Sequence, residues 1–251
     1  MESLKRQIRF MVKDSKRAFI VFWVVVILVN IAAYILNAIF VGRYGTISFG
    51  ASRFGISENG GRLINVAAGN IIAIGIYMIV SNMEMYYESF PTAIGFSSTR
   101  KDFYKALIIH NSLLCAAMTA IEVVLLKIDN IIIETIGKEP LEDFIYFNTK
   151  ENNIFYIFII VFLMFMAFCA VFNLLGALLY RYGYKLWIVL GVSVMIVGNI
   201  DNLSRIIRYI LINAYSYNNF IMFFIKNIVI AALLYGLAWL SVRRLNVRTG
   251  K

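Results

Sequence analysis

Six apolar segments dominate this sequence, and they restrict the possible folds more than any other feature. A helix needs ~20 mainly apolar residues to cross the hydrocarbon core of a bilayer. Every segment except the fifth is about that length or longer, and the fifth is short. The sequence therefore predicts an all-α integral membrane protein with six transmembrane helices. The predicted spans are 18–40, 63–83, 103–127, 154–180, 186–200 and 220–242.

The composition excludes a soluble domain. Hydrophobic residues make up 61% of the 251 residues and charged residues only 15%, and the mean hydropathy is +0.78. A soluble domain has roughly a quarter of its residues charged. No linker, low-complexity tail or internal repeat divides the chain, so we treat 1–251 as one transmembrane domain.

Residues 1–17 hold six Lys and Arg residues, and Leu4, Ile8 and Met11 are spaced to share one helical face. An apolar stripe beside a basic face is typical of a helix in the membrane interface. A signal peptide is the competing interpretation, but the apolar run that follows is too long for one and lacks a cleavage pattern. We expect a retained amphipathic interfacial helix before the first span.

The basic residues also predict the orientation of the chain. Outside the spans, 15 of the 24 Lys and Arg residues lie on the side of the N-terminus, whereas the loop at 128–153 on the other side is acidic. Cytoplasmic loops carry the excess of Lys and Arg, so both termini are predicted to be cytosolic. The net charge of +10 does not indicate nucleic acid as a partner, because the basic residues flank spans rather than form a soluble patch.

The polar turn at 89–105 has the residues of a short helix followed by a capped one. Pro91 suits a first helical turn, and Gly95 suits a left-handed helix end. Thr99 can accept from the backbone of Asp102, whose charge suits the start of a long helix. On spacing alone, an ordinary capped loop between two membrane helices explains the pattern equally well.

The run Pro-Thr-Ala-Ile-Gly-Phe-Ser-Ser-Thr-Arg-Lys-Asp-Phe-Tyr at 91–104 also resembles a family segment. It is similar to the turn between the second and third membrane helices in permease subunits of bacterial ABC-2-type ABC transporters. In that family this turn includes the coupling helix, which docks on a separate ATP-hydrolysing subunit. The six-span layout agrees with the resemblance. By resemblance, the docking residues are Phe90, Pro91, Ile94, Gly95, Phe96, Arg100 and Lys101.

The resemblance implies a multi-pass protein of the bacterial cytoplasmic membrane that exports a peptide, lipid or drug and can give resistance to antimicrobial peptides. It implies a cytosolic ABC ATPase and a second permease copy or paralogue as partners, beside membrane lipid. The chain lacks the G-x-x-x-x-G-K-[ST] phosphate-binding motif, so ATP and Mg²⁺ belong on the partner. We expect no cofactor, bound metal or catalytic residue in this chain.

A few polar and aromatic residues within the spans are candidates for a substrate path. At 1.5 Å per residue, His110 lies ~10 Å into its helix and Glu122 ~30 Å, near the outer interface. His110 suits either a neutral imidazole between helices or a proton-relay or substrate role. Asn30 and Asn37 share a face that suits helix packing or a path. The candidates are Asn30, Asn37, His110, Phe162 and Phe165.

Two other functions are open: a stand-alone ion-coupled carrier and a membrane-embedded enzyme. No Ser-His-Asp set and no paired carboxylates at depth are apparent, which disfavours an enzyme. A carrier usually has an acid near mid-membrane, whereas Glu122 and Asp201 are expected near span ends. Cys115 and Cys169 lie in apolar runs, where packing is the usual role of cysteine. A single histidine cannot form a multi-histidine metal site.

Overall fold

The computed structural model describes residues 2–40, 65–96, 98–137, 139–200, 205, 209 and 219–245, and these ranges are almost entirely helical. The helices are α1 (Glu2–Phe40), a 3-10 turn (Ala67–Gly69), α2 (Asn70–Glu84), a π-helical segment (Met85–Ser89), α3 (Phe90–Gly95), α4 (Arg100–Thr135), α5 (Ile154–Tyr182), α6 (Lys185–Asn199) and α7 (Phe220–Val242).

Five helical stretches in the described ranges are long and apolar enough to cross a membrane. They are Leu4–Leu36, Ala67–Gly95, Arg100–Thr135, Ile154–Tyr182 and Phe220–Val242. The prediction of a multi-pass, all-helical membrane protein is therefore compatible with the structure. The fifth predicted span corresponds to α6, which has only 15 residues and is not among the five. The sequence also predicts an irregular outer loop at 41–62 and a helix in the membrane interface at 201–219. Both lie outside the described residues, apart from Arg205, Tyr209 and Asn219.

Three helix boundaries differ from the sequence-based prediction. The predicted interfacial helix at 1–17 is not a separate element, because α1 runs unbroken for 39 residues with no Gly or Pro to kink it. The second helical stretch continues through the π-helical segment to Gly95 instead of ending at 83. Helix α4 ends at Thr135, eight residues beyond the predicted boundary at 127.

Helices α1 and α4 run parallel and in register. Ser15 pairs with His110, and Tyr34 donates to Asp129, so both contacts join residues 95 positions apart. Two parallel α-helices rise by the same amount per residue, which keeps such an offset constant along the pair. The same offset places Glu122 level with Ile27, inside the apolar part of α1.

Contacts between distant segments gather the basic residues at one end of the molecule, called here the basic end. Ser98 Oγ donates to Gln7 Oε1 at 2.6 Å, and Arg100 Nη1 donates to the Arg243 carbonyl at 3.2 Å. The Tyr180 ring near the end of α5 packs on this end as well. The start of α1, the turn before α4 and the ends of α5 and α7 therefore lie together.

The loop after α4 lies at the other end, called here the acidic end. Lys127 Nζ donates to the Asn152 carbonyl at 2.9 Å, which ties the loop to α4. Lys150 forms ion pairs with Glu142 at 3.2 Å and with Glu134 at 3.7 Å. The hydrogen bond to Glu142 raises the pKa of Lys150, and the charges of Glu142 and Glu134 act in the same direction. Within the loop, Asp143 and Asn148 form an isolated antiparallel β-bridge.

Candidate functional site

The turn before α4 has the capping geometry that the sequence predicted. Thr99 is extended at φ −77° and ψ 150°, and its Oγ1 accepts from the Asp102 backbone N–H at 3.0 Å. This bond satisfies one of the free N–H groups at a helix start. Pro91 lies in α3, directly after the π-helical segment. The helix predicted at this proline and the start of α4 near Arg100 are both confirmed.

The left-handed conformation predicted for Gly95 is wrong. Among the described residues, positive φ angles occur at two glycines, Gly137 at 79° and Gly183 at 63°. Gly95 is the last residue of α3, and the chain leaves that helix through Phe96 at φ −87° and ψ 27°. A Cβ added at Gly95 would meet no atom within 4 Å. A side chain at this position is therefore compatible with the fold.

The predicted docking aromatics separate into one buried and one exposed residue. Phe90 was expected to face a partner but is 0% exposed. The centroid of its ring lies 5.1 Å from that of Phe103 and 5.5 Å from that of Tyr180. The unbroken helix before it turns this side chain towards α4 and α5. Phe96 at the tip of the turn is 67% exposed, and Ile94 is half-buried. Phe96 is thus the aromatic that a partner can reach.

A cavity of about 290 Å³ lies beside Phe96 at the basic end. It lies between α1 and α3, and its apolar surface far exceeds its polar surface. The two predicted basic docking residues, Arg100 and Lys101, are both exposed. Arg100 also donates a hydrogen bond to the Arg243 carbonyl after α7. The lining residues are Arg6, Gln7, Phe10, Thr92, Ala93 and Phe96.

The candidates for a substrate path do not converge in the described residues. His110 Nε2 lies 3.0 Å from Ser15 Oγ, level with the basic part of α1. Asn30 lines a separate cleft, and 15 residues of α1 place it ~22 Å from the level of Ser15. Phe165 is buried in the core, and Phe162 is half-buried. The Asn37 side chain lies outside the described residues.

Asp129 near the acidic end joins three helical segments. Its carboxylate accepts from the Tyr34 hydroxyl on α1. It also accepts from the backbone N–H groups of Val66 at 3.2 Å and Ala67 at 3.4 Å, where the second helical stretch begins. A carboxylate at a helix start satisfies free N–H groups and suits the positive end of the helix dipole. The sequence predicts Asp129 in the outer loop at 128–153, whereas the residue lies on α4.

Glu122, two helical turns before Asp129, is not near water as predicted. It is 0% exposed, and neither side-chain oxygen has a hydrogen-bond partner. The predicted depth assumed that α4 ends at 127, but the helix continues to Thr135 and packs along α1. The register places His110 level with the basic part of α1 and Glu122 level with its apolar part. Relative to the charged residues of α1, Glu122 therefore lies deeper in the helix pair than His110, the opposite of the prediction.

Buried amides connect the core helices nearer the basic end. Asn111 Nδ2 donates to Asn82 Oδ1 at 2.9 Å, and Asn82 also contacts Cys169. Tyr86 in the π-helical segment donates to Asn173, so a second polar contact joins the second helical stretch and α5. The sequence reading gave these amides no role, although an amide within an apolar run indicates a helix–helix contact.

The two cysteines are free and adjacent, with their sulfur atoms 3.5 Å apart. This agrees with the packing role that the sequence predicted for both. No group of three or more His, Cys, Asp or Glu residues able to hold a metal occurs in the part of the chain that the structure describes.

Comparisons of the chain with protein-family models, curated proteins and solved structures found no match. The geometry of the residues is therefore the basis for a functional assignment.

Proposed function

We propose that this chain is the transmembrane subunit of an ATP-driven ABC exporter and docks on a separate cytosolic ATPase through the turn at 89–105. The observation that carries the proposal is Phe96, an aromatic side chain 67% exposed at the tip of the turn. A large aromatic beside an apolar cavity is typical of an interface anchor. The resemblance of 91–104 to the ABC-2 coupling segment points to the same partner.

The positions of the helix ends support a six-span layout. Tyr180, close to the end of α5, packs on Phe90 at the basic end. Phe220 at the start of α7 packs on Tyr156, and Phe223 on Tyr146, at the acidic end. The chain between α5 and α7 must therefore pass from one end to the other. Helix α6 in this segment has 15 residues and is ~22 Å long. A sixth crossing would place both termini on one side.

The charge distribution supports a cytosolic location for the basic end. Six Lys and Arg residues in the first 17 positions share this end with Arg100, Lys101 and Arg243. Positive residues mark the cytoplasmic side of membrane proteins. A bacterial cytoplasmic membrane then exposes the turn to the compartment that holds ATP.

The cavity beside Phe96 suits an apolar side chain of the ATPase with acidic groups around it. Phe10 and Ala93 contribute apolar walls, and Arg6 supplies a positive charge at the edge. Lys101 adds a second exposed charge near the tip. Buried apolar anchors provide most of the affinity of such interfaces, whereas charges at the edge mainly affect rate and specificity.

The remaining parts of the proposal follow from this class of transporter. A second copy of the chain or a paralogue completes the pathway, and ATP and Mg²⁺ bind the ATPase. The substrate class is a peptide, lipid or drug.

The first prediction tests docking with Phe96→Ala. We expect the binding free energy of the ATPase to fall by about 2 kcal/mol, which weakens binding roughly thirtyfold, because an interface anchor is lost. Since Phe96 is exposed, its removal leaves no cavity in the core. The measurement is copurification of a Walker-motif ATPase from mild detergent, with its substrate-stimulated hydrolysis. Phe155→Ala is the matched control, because Phe155 is 75% exposed at the acidic end. Lys101→Ala should weaken binding less and in a salt-dependent way.

Equal ATPase recovery with Phe96→Ala and Phe155→Ala would contradict docking through this turn. The buried carboxyl of Glu122 favours a second candidate function, a stand-alone ion-coupled carrier. Transport by purified chain in vesicles without ATP would support that candidate.

A further inference from the structure

Glu122 and Asp129 are two buried acids with opposite environments. Both are 0% exposed and lie seven residues apart on α4, which places them near one face. Asp129 accepts hydrogen bonds from Tyr34, Val66 and Ala67. Neither oxygen of Glu122 accepts a hydrogen bond of ordinary geometry, and the neutral Asn70 amide is the polar group beside it. The surroundings of Asp129 suit a charged carboxylate, and those of Glu122 do not.

A charged carboxylate at Glu122 would be costly. Moving an acid to the centre of a transmembrane helix costs ~2.5–3.5 kcal/mol on insertion scales, and more where no donor compensates. The register places Glu122 level with Ile27, within the apolar part of α1. A bound proton removes the charge and adds a donor to the carboxyl group.

Titratable and charged groups face Glu122 from its own helix and from the helices packed on it. Asp129 on the same helix acts on it with like charge. From α1, the titratable group facing it is Tyr34, and from α2 its neighbour is the neutral amide of Asn70. The charged residues within α2 and α5 are Glu84 and Arg181, each near the end of its helix at the basic end.

Asn70 connects Glu122 to an open cleft. The cleft, between α1 and the second helical stretch, has a volume of about 260 Å³ and is lined by Asn30 and Asn70 among apolar residues. Asn70 is 5% exposed, and its Nδ2 has no hydrogen-bond partner. Its side chain also interacts with the Glu122 carboxyl. One amide thus faces both the cleft and the buried acid.

We propose that Glu122 is a proton-binding site that exchanges its proton with the α1–α2 cleft through Asn70. The step is reversible protonation: an oxygen–hydrogen bond forms on the Glu122 carboxylate as the bond to that proton breaks in a hydronium ion or water molecule from the solvent, and the reverse step returns the proton. The carboxyl group of Glu122 is fully buried. It therefore suits a proton better than a larger cation, which would need several oxygen ligands and space around them. The proposal goes beyond ATPase docking and does not depend on it.

Infrared spectroscopy of the full chain in lipid nanodiscs tests the proposal at neutral pH. We expect a carbonyl stretch from a neutral carboxylic acid, shifted by ¹³C-glutamate labelling. The stretch should be lost in Glu122→Gln and kept in Glu88→Gln, a matched change at an exposed acid near the basic end. Transfer to D₂O should shift the stretch, and Asn70→Leu should slow that shift because the polar route is interrupted.

Three results would overturn the proposal. They are no neutral-acid stretch in the wild type, an unchanged stretch in Glu122→Gln, and a labelled stretch that does not respond to D₂O. The labelling and D₂O measurements use the wild-type chain, so the test stands even where a variant fails to fold. Because no ATPase is present, failure of the docking proposal leaves these results unaffected.

Discussion

Gly176 on α5 is a residue at which one methyl group would collide with the neighbouring helix. A Cβ added there would lie 2.8 Å from Tyr86 Cδ2 and 3.1 Å from the Asn82 carbonyl oxygen. Tyr86 is fully buried and donates to Asn173, so its ring has little freedom to move. The close approach of α2 and α5 therefore depends on the missing side chain.

We predict that Gly176→Ala lowers the free energy of unfolding by about 1–3 kcal/mol, the usual range for overpacking. The measurement is thermal unfolding of the purified protein in detergent. Gly236→Ala is the matched control, because no atom lies within 4 Å of a Cβ added at that helical glycine. Equal midpoints for the two variants would contradict the close packing of α5 on Tyr86.

At the scale of elements, Asp129 is the residue that holds three helical segments together at the acidic end. It lies on α4, accepts from Tyr34 on α1, and caps the start of the second helical stretch at Val66 and Ala67. Ionised acceptors form stronger hydrogen bonds than neutral ones. The loss of this carboxylate would affect all three segments.

We predict that Asp129→Ala destabilises the protein by about 1–3 kcal/mol for each buried N–H group left without an acceptor. Tyr34→Phe should cost less, because it removes one donor and leaves the cap. Hydrogen exchange at 66–70 is the measurement, together with thermal unfolding. The two changes should be non-additive in the double variant, since they remove the same bond. Strict additivity, or unchanged exchange at 66–70, would count against the cap.

For the molecule as a whole, its two ends differ in charge and should face different compartments. Lys101 is exposed at the basic end and Lys150 at the acidic end. Cys115 and Cys169 are both buried, so their replacement removes the native thiols without altering the surface.

We predict that an impermeant maleimide added to intact cells labels Lys150→Cys and not Lys101→Cys, each in a Cys115→Ala, Cys169→Ala background. The reason is that the basic end should be cytosolic. Labelling of both variants after membrane disruption is the control for thiol reactivity. Labelling of Lys101→Cys in intact cells would show that the basic end faces outwards. The turn at 89–105 would then lie on the side of the membrane opposite to the ATPase.

Features that depend on neighbours a few residues apart could be predicted from the sequence. The apolar runs predicted membrane-length helices, and Thr99 with Asp102 predicted the start of α4. Apolar periodicity and capping act within about one helical turn, so the order of residues determines them directly. The helix ends were less predictable, because α1 and α4 extend through polar residues that contact other helices.

The tertiary structure decided which side chains are buried. Phe90 and Phe96 have the same side chain six positions apart, yet one packs on Phe103 and Tyr180 while the other is exposed. Glu122 is buried in the packed helices, where the offset of 95 residues between α1 and α4 sets it level with Ile27. Burial depends on contacts between segments far apart in the chain, and no local pattern specifies that offset.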